Sequence, residues 1–209
     1  MDTAERKNGL IAHLKSEGYL KTKKVEMAIR RIPREDFLPE TAKHHAYSDH
    51  PLPIGSGQTI SAPHMVAIMT ELLEPKKTDK ILEIGTGSGY QAAILGALVK
   101  IVYSVEVFPE LASQAKRSIS QAGIRNVEVI SADGSKGYPE EKPYDKIIVT
   151  CAIPFETFSY LGQQLKEGGI LVAPVGEPYG IQMLVTGQRI HGRLITKEHF
   201  PCVFVPLRQ

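Results

Sequence analysis

Apolar residues change their spacing twice along the chain, which divides it into three zones: 1–60, 61–176 and 177–209. In the first zone Leu10, Ile11 and Leu14 share one helical face. Asp2 and Glu5 precede that face with the spacing of a capping box, and Gly18 follows it as a stop. Val25, Ala28, Ile29 and Ile32 repeat the helical spacing from a start at Thr22, and Pro33 ends it. Pro33 to Glu40 is bounded by prolines and predicts extended chain, followed by a polar loop carrying His44, His45 and His50.

The second zone alternates short apolar runs with amphipathic ones. Lys80–Ile84, Ile101–Val107, Val127–Ile130, Lys146–Val149 and Ile170–Val172 predict strands. Between them, Tyr90, Ala93, Ile94, Ala97 and Leu98 fall at helical spacing, as do Leu111, Ala112, Ala115 and Ile119 behind Pro109. Phe155, Phe158, Leu161 and Leu165 predict a helix stopped by Gly168-Gly169. Such alternation predicts right-handed crossovers and a mostly parallel, doubly wound sheet with helices on both faces. The third zone reads as strands alone. One domain over residues 1–209 is expected: N-terminal helices and a loop, an α/β core, then C-terminal strands.

Composition narrows the class. Hydrophobic residues are 42% and charged residues 23% of 209, values that exclude disorder. The net charge of +2 lacks the basic excess of a nucleic-acid binder. The two cysteines form neither a disulfide framework nor a metal cluster. The three loop histidines lack a matching carboxylate or cysteine pattern, so they read as solvated and no metal is expected. The N-terminus is charged from the start, and the longest apolar run, Ala92–Val99, is too short to cross a bilayer. A cytoplasmic protein without membrane or nucleic-acid partners is expected. A monomer is expected too, although nothing in the sequence fixes the oligomeric state.

Three candidate features lie at successive strand ends. Gly85-Thr86-Gly87-Ser88-Gly89 places three glycines in five residues between a strand and a helix. Such a turn admits positive φ, lets a ligand approach the backbone, and aims free N–H groups at it. It departs from the dinucleotide fingerprint, whose third glycine falls where Tyr90 stands. Glu106 closes the next strand, where a carboxylate can accept from both hydroxyls of a ribose. Asp133-Gly134 follows the third strand; the carboxylate could accept from an adenine amino group, or simply make a turn. Together they describe a site for adenosine attached to something other than pyrophosphate. A fourth feature is the polar run Gly55–Ile60, which reads as a flexible lid, before Ser61. Ser61 reads as an N-cap for the helix opened by Pro63.

These residues carry a resemblance. Leu82–Tyr90 with Glu106 and Asp133 resembles S-adenosylmethionine-dependent methyltransferases in general. Gln58–Met65, Asp133-Gly134 with Gly137-Tyr138, Pro143-Tyr144-Asp145, Pro174-Val175-Gly176 and Val205-Pro206-Leu207 resemble one branch, the protein-L-isoaspartate O-methyltransferases. The resemblance implies a Rossmann-like seven-stranded sheet and S-adenosyl-L-methionine as cofactor, with S-adenosyl-L-homocysteine as product. It implies Ser61 as the catalytic serine, and Gln58, Thr59 and Ile60 in a loop over cofactor and substrate. Gly85, Gly87 and Ser88 would line the methionine and ribose end, Glu106 and Val107 the ribose and adenine, Asp133 and Gly134 the adenine edge. The implied reaction methylates the α-carboxylate of L-isoaspartyl residues in damaged proteins and peptides. The ester then recloses to a succinimide, whose hydrolysis returns some aspartate. Thr150-Cys151-Ala152-Ile153-Pro154 departs from the small-residue run usual there.

Other readings fit parts of the chain. A methyltransferase acting on a small molecule or RNA would share the cofactor residues, but the Asn/Asp-Pro-Pro-aromatic signature of base methylation is absent. A nucleoside-binding module would not need Ser61 and its loop. A dehydrogenase is disfavoured by Tyr90.

Overall fold

A computed structural model describes residues 2–209. Helix α1 spans Thr3–Ser16; Asp2 accepts from the Glu5 amide at 2.8 Å while Glu5 accepts from the Asp2 amide, so the capping box forms. Helix α2 spans Lys23–Arg31 behind the Thr22 cap. Pro33 does end it, but the following stretch is not extended. Two 3₁₀ helices, Arg34–Phe37 and Glu40–His45, fold it back, because Phe37, Leu38 and Ala42 bury themselves against the same core as α1 and α2.

Strands β1 (Leu52–Gly55) and β2 (Gln58–Ile60) form an antiparallel hairpin. Ser56 (φ 51°) and Gly57 (φ 67°) supply the left-handed pair that a two-residue hairpin turn requires. The run before Ser61 is therefore a tight hairpin turn followed by strand β2. Helix α3 spans Pro63–Leu73, and its N-cap is Ala62, which provides no side-chain cap. The expectation that Ser61 caps this helix is overturned: proline at the first position leaves one fewer amide to satisfy, and the chain turns one residue later.

The core follows: β3 (Lys80–Ile84), α4 (Tyr90–Gly96), β4 (Ile101–Glu106), α5 (Pro109–Gln121), β5 (Val127–Ser131), β6 (Tyr144–Val149) and α6 (Phe155–Gly162). Strands β7 (Leu165–Val175), β8 (Gln182–Ile190) and β9 (Arg193–Cys202) complete it. Gly168-Gly169 does not stop a helix. The helix has already ended at Gly162, and the glycines lie within β7, where the pairing with β6 shifts register.

The sheet order is β5-β4-β3-β6-β7-β8-β9. The first five strands are parallel, and β8 and β9 add antiparallel. Side chains alternate across it. Ile81, Val102, Ile148 and Val172 join the core beneath α1 to α5; Leu82, Ile84, Val105, Ile147 and Val149 join the core beneath α6. The chain runs outward from β3 through β4 to β5, then returns to pair β6 on β3's other side. That reversal leaves a crevice between the carboxyl ends of β3 and β6, where parallel sheets place ligands.

Candidate functional site

The turn after β3 fills the mouth of that crevice. Gly85, Gly87 and Gly89 all have positive φ, at 92°, 53° and 87°. Thr150, the first residue beyond β6, donates from Oγ1 to the Gly85 carbonyl at 2.5 Å. A Cβ at Gly85 would lie 2.6 Å from that oxygen, so the turn and Thr150 fit only with glycine there. Thr150 was not singled out by sequence, yet it pins the turn across the switch point. The signal was positional: it ends the strand adjacent to β3.

Glu106 ends β4 with a buried carboxylate. Its Oε2 accepts from the Gly87 amide at 2.7 Å and its Oε1 from the Phe108 amide at 3.0 Å. Each oxygen keeps a second lone pair, so the group is held in place while able to accept more. Gln58, Thr59, Ile60, Ser61, Gly85, Gly87, Ser88, Glu106, Thr150, Cys151 and Val205 line one cleft. An adjoining recess continues it past Glu106 along Val107, Phe108 and Gly134. Only glycine fits at 134 without displacing the recess wall, since a Cβ there would lie 2.8 Å from Ile84 Cγ2. Of the expected cofactor residues only Asp133 is not among the lining. Its exposed carboxylate accepts from the Ser135 amide at 2.8 Å and from the Ser135 hydroxyl at 3.0 Å.

Beneath the glycine turn runs a polar chain on the sheet face shared with Ile81. Ser104 donates to Glu83 Oε2 at 2.5 Å, which leaves the Ser104 oxygen to accept from Thr86 at 2.6 Å. Glu83 is fully buried, its Oε1 has no partner, and burial pushes its pKa up to about 8. Burial pushes the Cys151 thiol up to about 12, so it stays protonated and inert as a nucleophile at neutral pH.

A second, larger cavity of about 790 Å³ opens beside the cleft. Tyr19, Pro51, His64, Met65, Ile68, Tyr179, Phe200 and the segment Pro201–Pro206 form much of its wall. His64 is held there by Asp49, whose Oδ1 lies 2.9 Å from both its ring Nδ1 and its amide. Gln58, Thr59, Ser61, Thr150 and Val205 line both cavities. Ser61 thus stands where they meet, between β2 and the α3 cap. Val205 is brought there by pairing with Ala152, whose amide donates to the Val205 carbonyl at 2.8 Å.

His44, His45 and His50 are neighbours, with successive ring centroids 3.9 and 6.1 Å apart. They remain exposed, and among the described residues no group of three or more His, Cys, Asp or Glu could hold a metal ion. No helix among them is long and apolar enough to cross a membrane.

The sequence profile described as protein-L-isoaspartate(D-aspartate) O-methyltransferase matches residues 5–209. The chain belongs to that family. An isoaspartate methyltransferase of Ignicoccus hospitalis is 50% identical over 206 residues, covering 97% of each chain. One from Methanopyrus kandleri is 48% identical over 202 residues, 95% of this chain and 89% of its own. Among solved structures, one protein-L-isoaspartate O-methyltransferase superposes with a TM-score of 0.85 at 30% identity, over 97% of this chain and 66% of that one. A Plasmodium falciparum protein described with the same activity, in complex with S-adenosyl-L-homocysteine, gives a TM-score of 0.80 at 26% identity over 96% and 97%. The family's sheet accounts for the crevice, and its cofactor chemistry for a cleft built to receive a nucleoside.

Proposed function

We infer that the chain transfers the methyl group of S-adenosylmethionine to the α-carboxylate of L-isoaspartyl residues in damaged proteins and peptides. The observation that carries this is the shared wall: the cofactor cleft and the 790 Å³ groove meet at Ser61, Thr150 and Val205. A peptide in the groove and a nucleoside in the cleft would bring their reacting ends together there. The 50% identity to a named relative over nearly the full length supports the same acceptor.

The residues present fit the cofactor. Glu106 offers free lone pairs from a fixed carboxylate, which suits a ribose diol. Gly85 and Gly87 take the positive φ that turns their backbone into the cleft wall, and the recess lined by Val107 and Gly134 offers a place for a ring. Gln58, Thr59 and Ile60 would cover the cofactor from the hairpin, and Ser88 would face its methionine end. Asp133 would reach the adenine edge only by exchanging its Ser135 bonds for it. When bound, S-adenosylmethionine supplies an activated methyl group on its sulfonium.

The chain then has little chemistry left to do. A carboxylate with an ordinary pKa near ~4 is already ionised at neutral pH, so no general base is needed. Positioning of the acceptor oxygen supplies the rate. Ser61 has no described hydrogen bond from its hydroxyl and is half-buried at the junction, so it is free to donate to the incoming carboxylate. A neutral hydroxyl orients that oxygen without quenching it as an ammonium would. The methyl ester leaves the site and recloses to a succinimide, the backbone amide nitrogen displacing the methoxy group as methanol. The whole chain acts as one S-adenosylmethionine-dependent domain, cytoplasmic, monomeric and without nucleic-acid partners.

The test is incubation with methyl-labelled S-adenosylmethionine and two peptides differing only in L-isoaspartate against L-aspartate. Base-labile label on the isoaspartyl peptide alone is expected. Equal labelling of both, or of neither while S-adenosylhomocysteine binds, overturns the acceptor.

A further inference from the structure

Arg34 takes no part in the chemistry above, yet it is among the largest wholly buried side chains, at 0% exposure. It opens the first 3₁₀ helix, Arg34–Phe37. Its Nη2 donates to the Ser61 carbonyl at 2.8 Å. Its guanidinium carbon stands 5.1 Å from the centre of the Tyr90 ring. Its Nε and Nη1 have no hydrogen-bond partner. Among the described residues it makes no salt bridge; Asp49 supplies a carboxylate charge that bears on it from a distance, and Tyr90 stands beside it. Burial pulls its pKa down only to about 10, so it remains a cation at neutral pH.

A buried cation with two unmet donors is a poor way to stabilise a fold. An apolar side chain of similar volume in its place is often neutral or stabilising. What Arg34 does provide is a junction. Ser61 lies between the last residue of β2 and the cap of α3, so its peptide belongs to neither element. Tyr90 is the first residue of α4, directly behind the glycine turn, and lines the cofactor cleft. One planar group therefore grips the acceptor side of the site by a backbone carbonyl and the cofactor side by a ring.

We propose that Arg34 is a positioning residue for methyl transfer, holding the Ser61 backbone against Tyr90 so that the Ser61 hydroxyl faces the cofactor cleft at a fixed distance. The kinetic consequence rests on the reading of Ser61 given above. The conformational consequence does not, because it concerns only the order of the Ser61 segment.

The experiment compares the parent with Arg34→Met and Arg34→Lys. In Arg34→Met, amide exchange across residues 58–62 is expected to accelerate roughly tenfold while β3 and β4 keep parental protection. Its Tm should equal or exceed the parent's, because an unpaired charge has left the interior. On an isoaspartyl peptide its kcat should fall roughly tenfold or more, with the peptide KM and the S-adenosylhomocysteine Kd within about threefold of parental values. Arg34→Lys keeps a donor for the Ser61 carbonyl but loses the planar stack, and should recover part of kcat. Parental exchange at 58–62 together with parental kcat in Arg34→Met overturns the proposal. So does a fall in Tm and cofactor affinity in step with kcat, which would make Arg34 structural. If Arg34→Met does not fold, parental exchange and kcat in Arg34→Lys overturn it equally. A parent that labels no isoaspartyl peptide overturns the acceptor assignment alone, and the exchange measurement still decides the role of Arg34.

Discussion

Glu83→Gln replaces a carboxyl that the fold has taken wholly out of water. Ser104 donates to one of its oxygens at 2.5 Å and nothing reaches the other. Burial, assisted by the nearby charge of Glu106, lifts its pKa from 4.5 to about 8 against the pull of the Ser104 bond. Between those values the folded chain holds a proton that the unfolded chain has released. The parent is therefore least penalised below pH 4.5, loses stability as pH rises through the window, and levels off above about 8. A tenfold change in proton affinity is worth about 1.4 kcal/mol, so the loss is roughly 3 kcal/mol at pH 7 and about 5 kcal/mol at the plateau. Glutamine keeps the shape and one accepting oxygen, and has no proton to lose. The advantage of the variant should be under about 1 kcal/mol at pH 5 and grow to about 5 kcal/mol above pH 8. For a chain of this size that is roughly 10–20 °C in Tm. Thermal or urea unfolding of both proteins from pH 5 to 9, without ligand, reads it directly, because titrating groups that do not couple to Glu83 cancel in the difference. A difference that stays constant with pH, or shrinks as pH rises, refutes a carboxyl that is protonated in the folded state at neutral pH.

Ser61→Ala should leave Tm nearly unchanged, since Ala62 and not Ser61 caps α3, while turnover per folded molecule falls roughly a hundredfold; parental turnover would remove Ser61 from the chemistry. Glu106→Gln replaces a charged acceptor by a group that can accept at only one atom, and calorimetry should show the S-adenosylhomocysteine Kd rising roughly tenfold or more. An unchanged Kd would separate Glu106 from the ribose. Gly85→Ala forces a Cβ to 2.6 Å from Thr150 Oγ1 at a φ of 92°, and should cost roughly 1–3 kcal/mol in urea unfolding together with cofactor affinity. Neither cysteine should react quickly with iodoacetamide at pH 8, because burial pushes Cys151 to about 12 and Cys202 to about 11; rapid alkylation of the native chain would contradict that burial.

The α/β core was legible because its signals are local. Each strand of the sheet's centre is a short apolar run, and the glycine turn after β3 states its own conformation. Glu106 was legible because strand ends share one edge. The hairpin of β1 and β2 was not: it offers too few alternating positions, and the polar run from Ser56 through Thr59 reads as a loop although Leu52 pairs with Ile60 across it. The 3₁₀ segments were hidden because Phe37 and Leu38 choose burial over the extended chain their prolines favour. Ser61 looked like a cap because serine before Pro63 has that spacing, and only packing shifts the cap to Ala62. Gly168-Gly169 reads as a helix stop in any linear scan, and becomes a strand irregularity only when β6 lies alongside. Thr150 offered only its position at the end of the strand beside β3, and Arg34 offered nothing, since their roles lie in partners distant in sequence.

The wall shared by the two cavities is assembled from segments that lie early and late in the chain, Gln58–Ser61 and the stretch around Val205. Contacts of such long sequence separation close late and are held by few bonds, here the pairing of Ala152 with Val205 and Leu207. On heating, that seam should part before the sheet does. Enzymatic activity would then vanish at temperatures where circular dichroism still reports a native spectrum, and would return on cooling without refolding of the core. The enzyme's working range would be set by its seam rather than by its melting point.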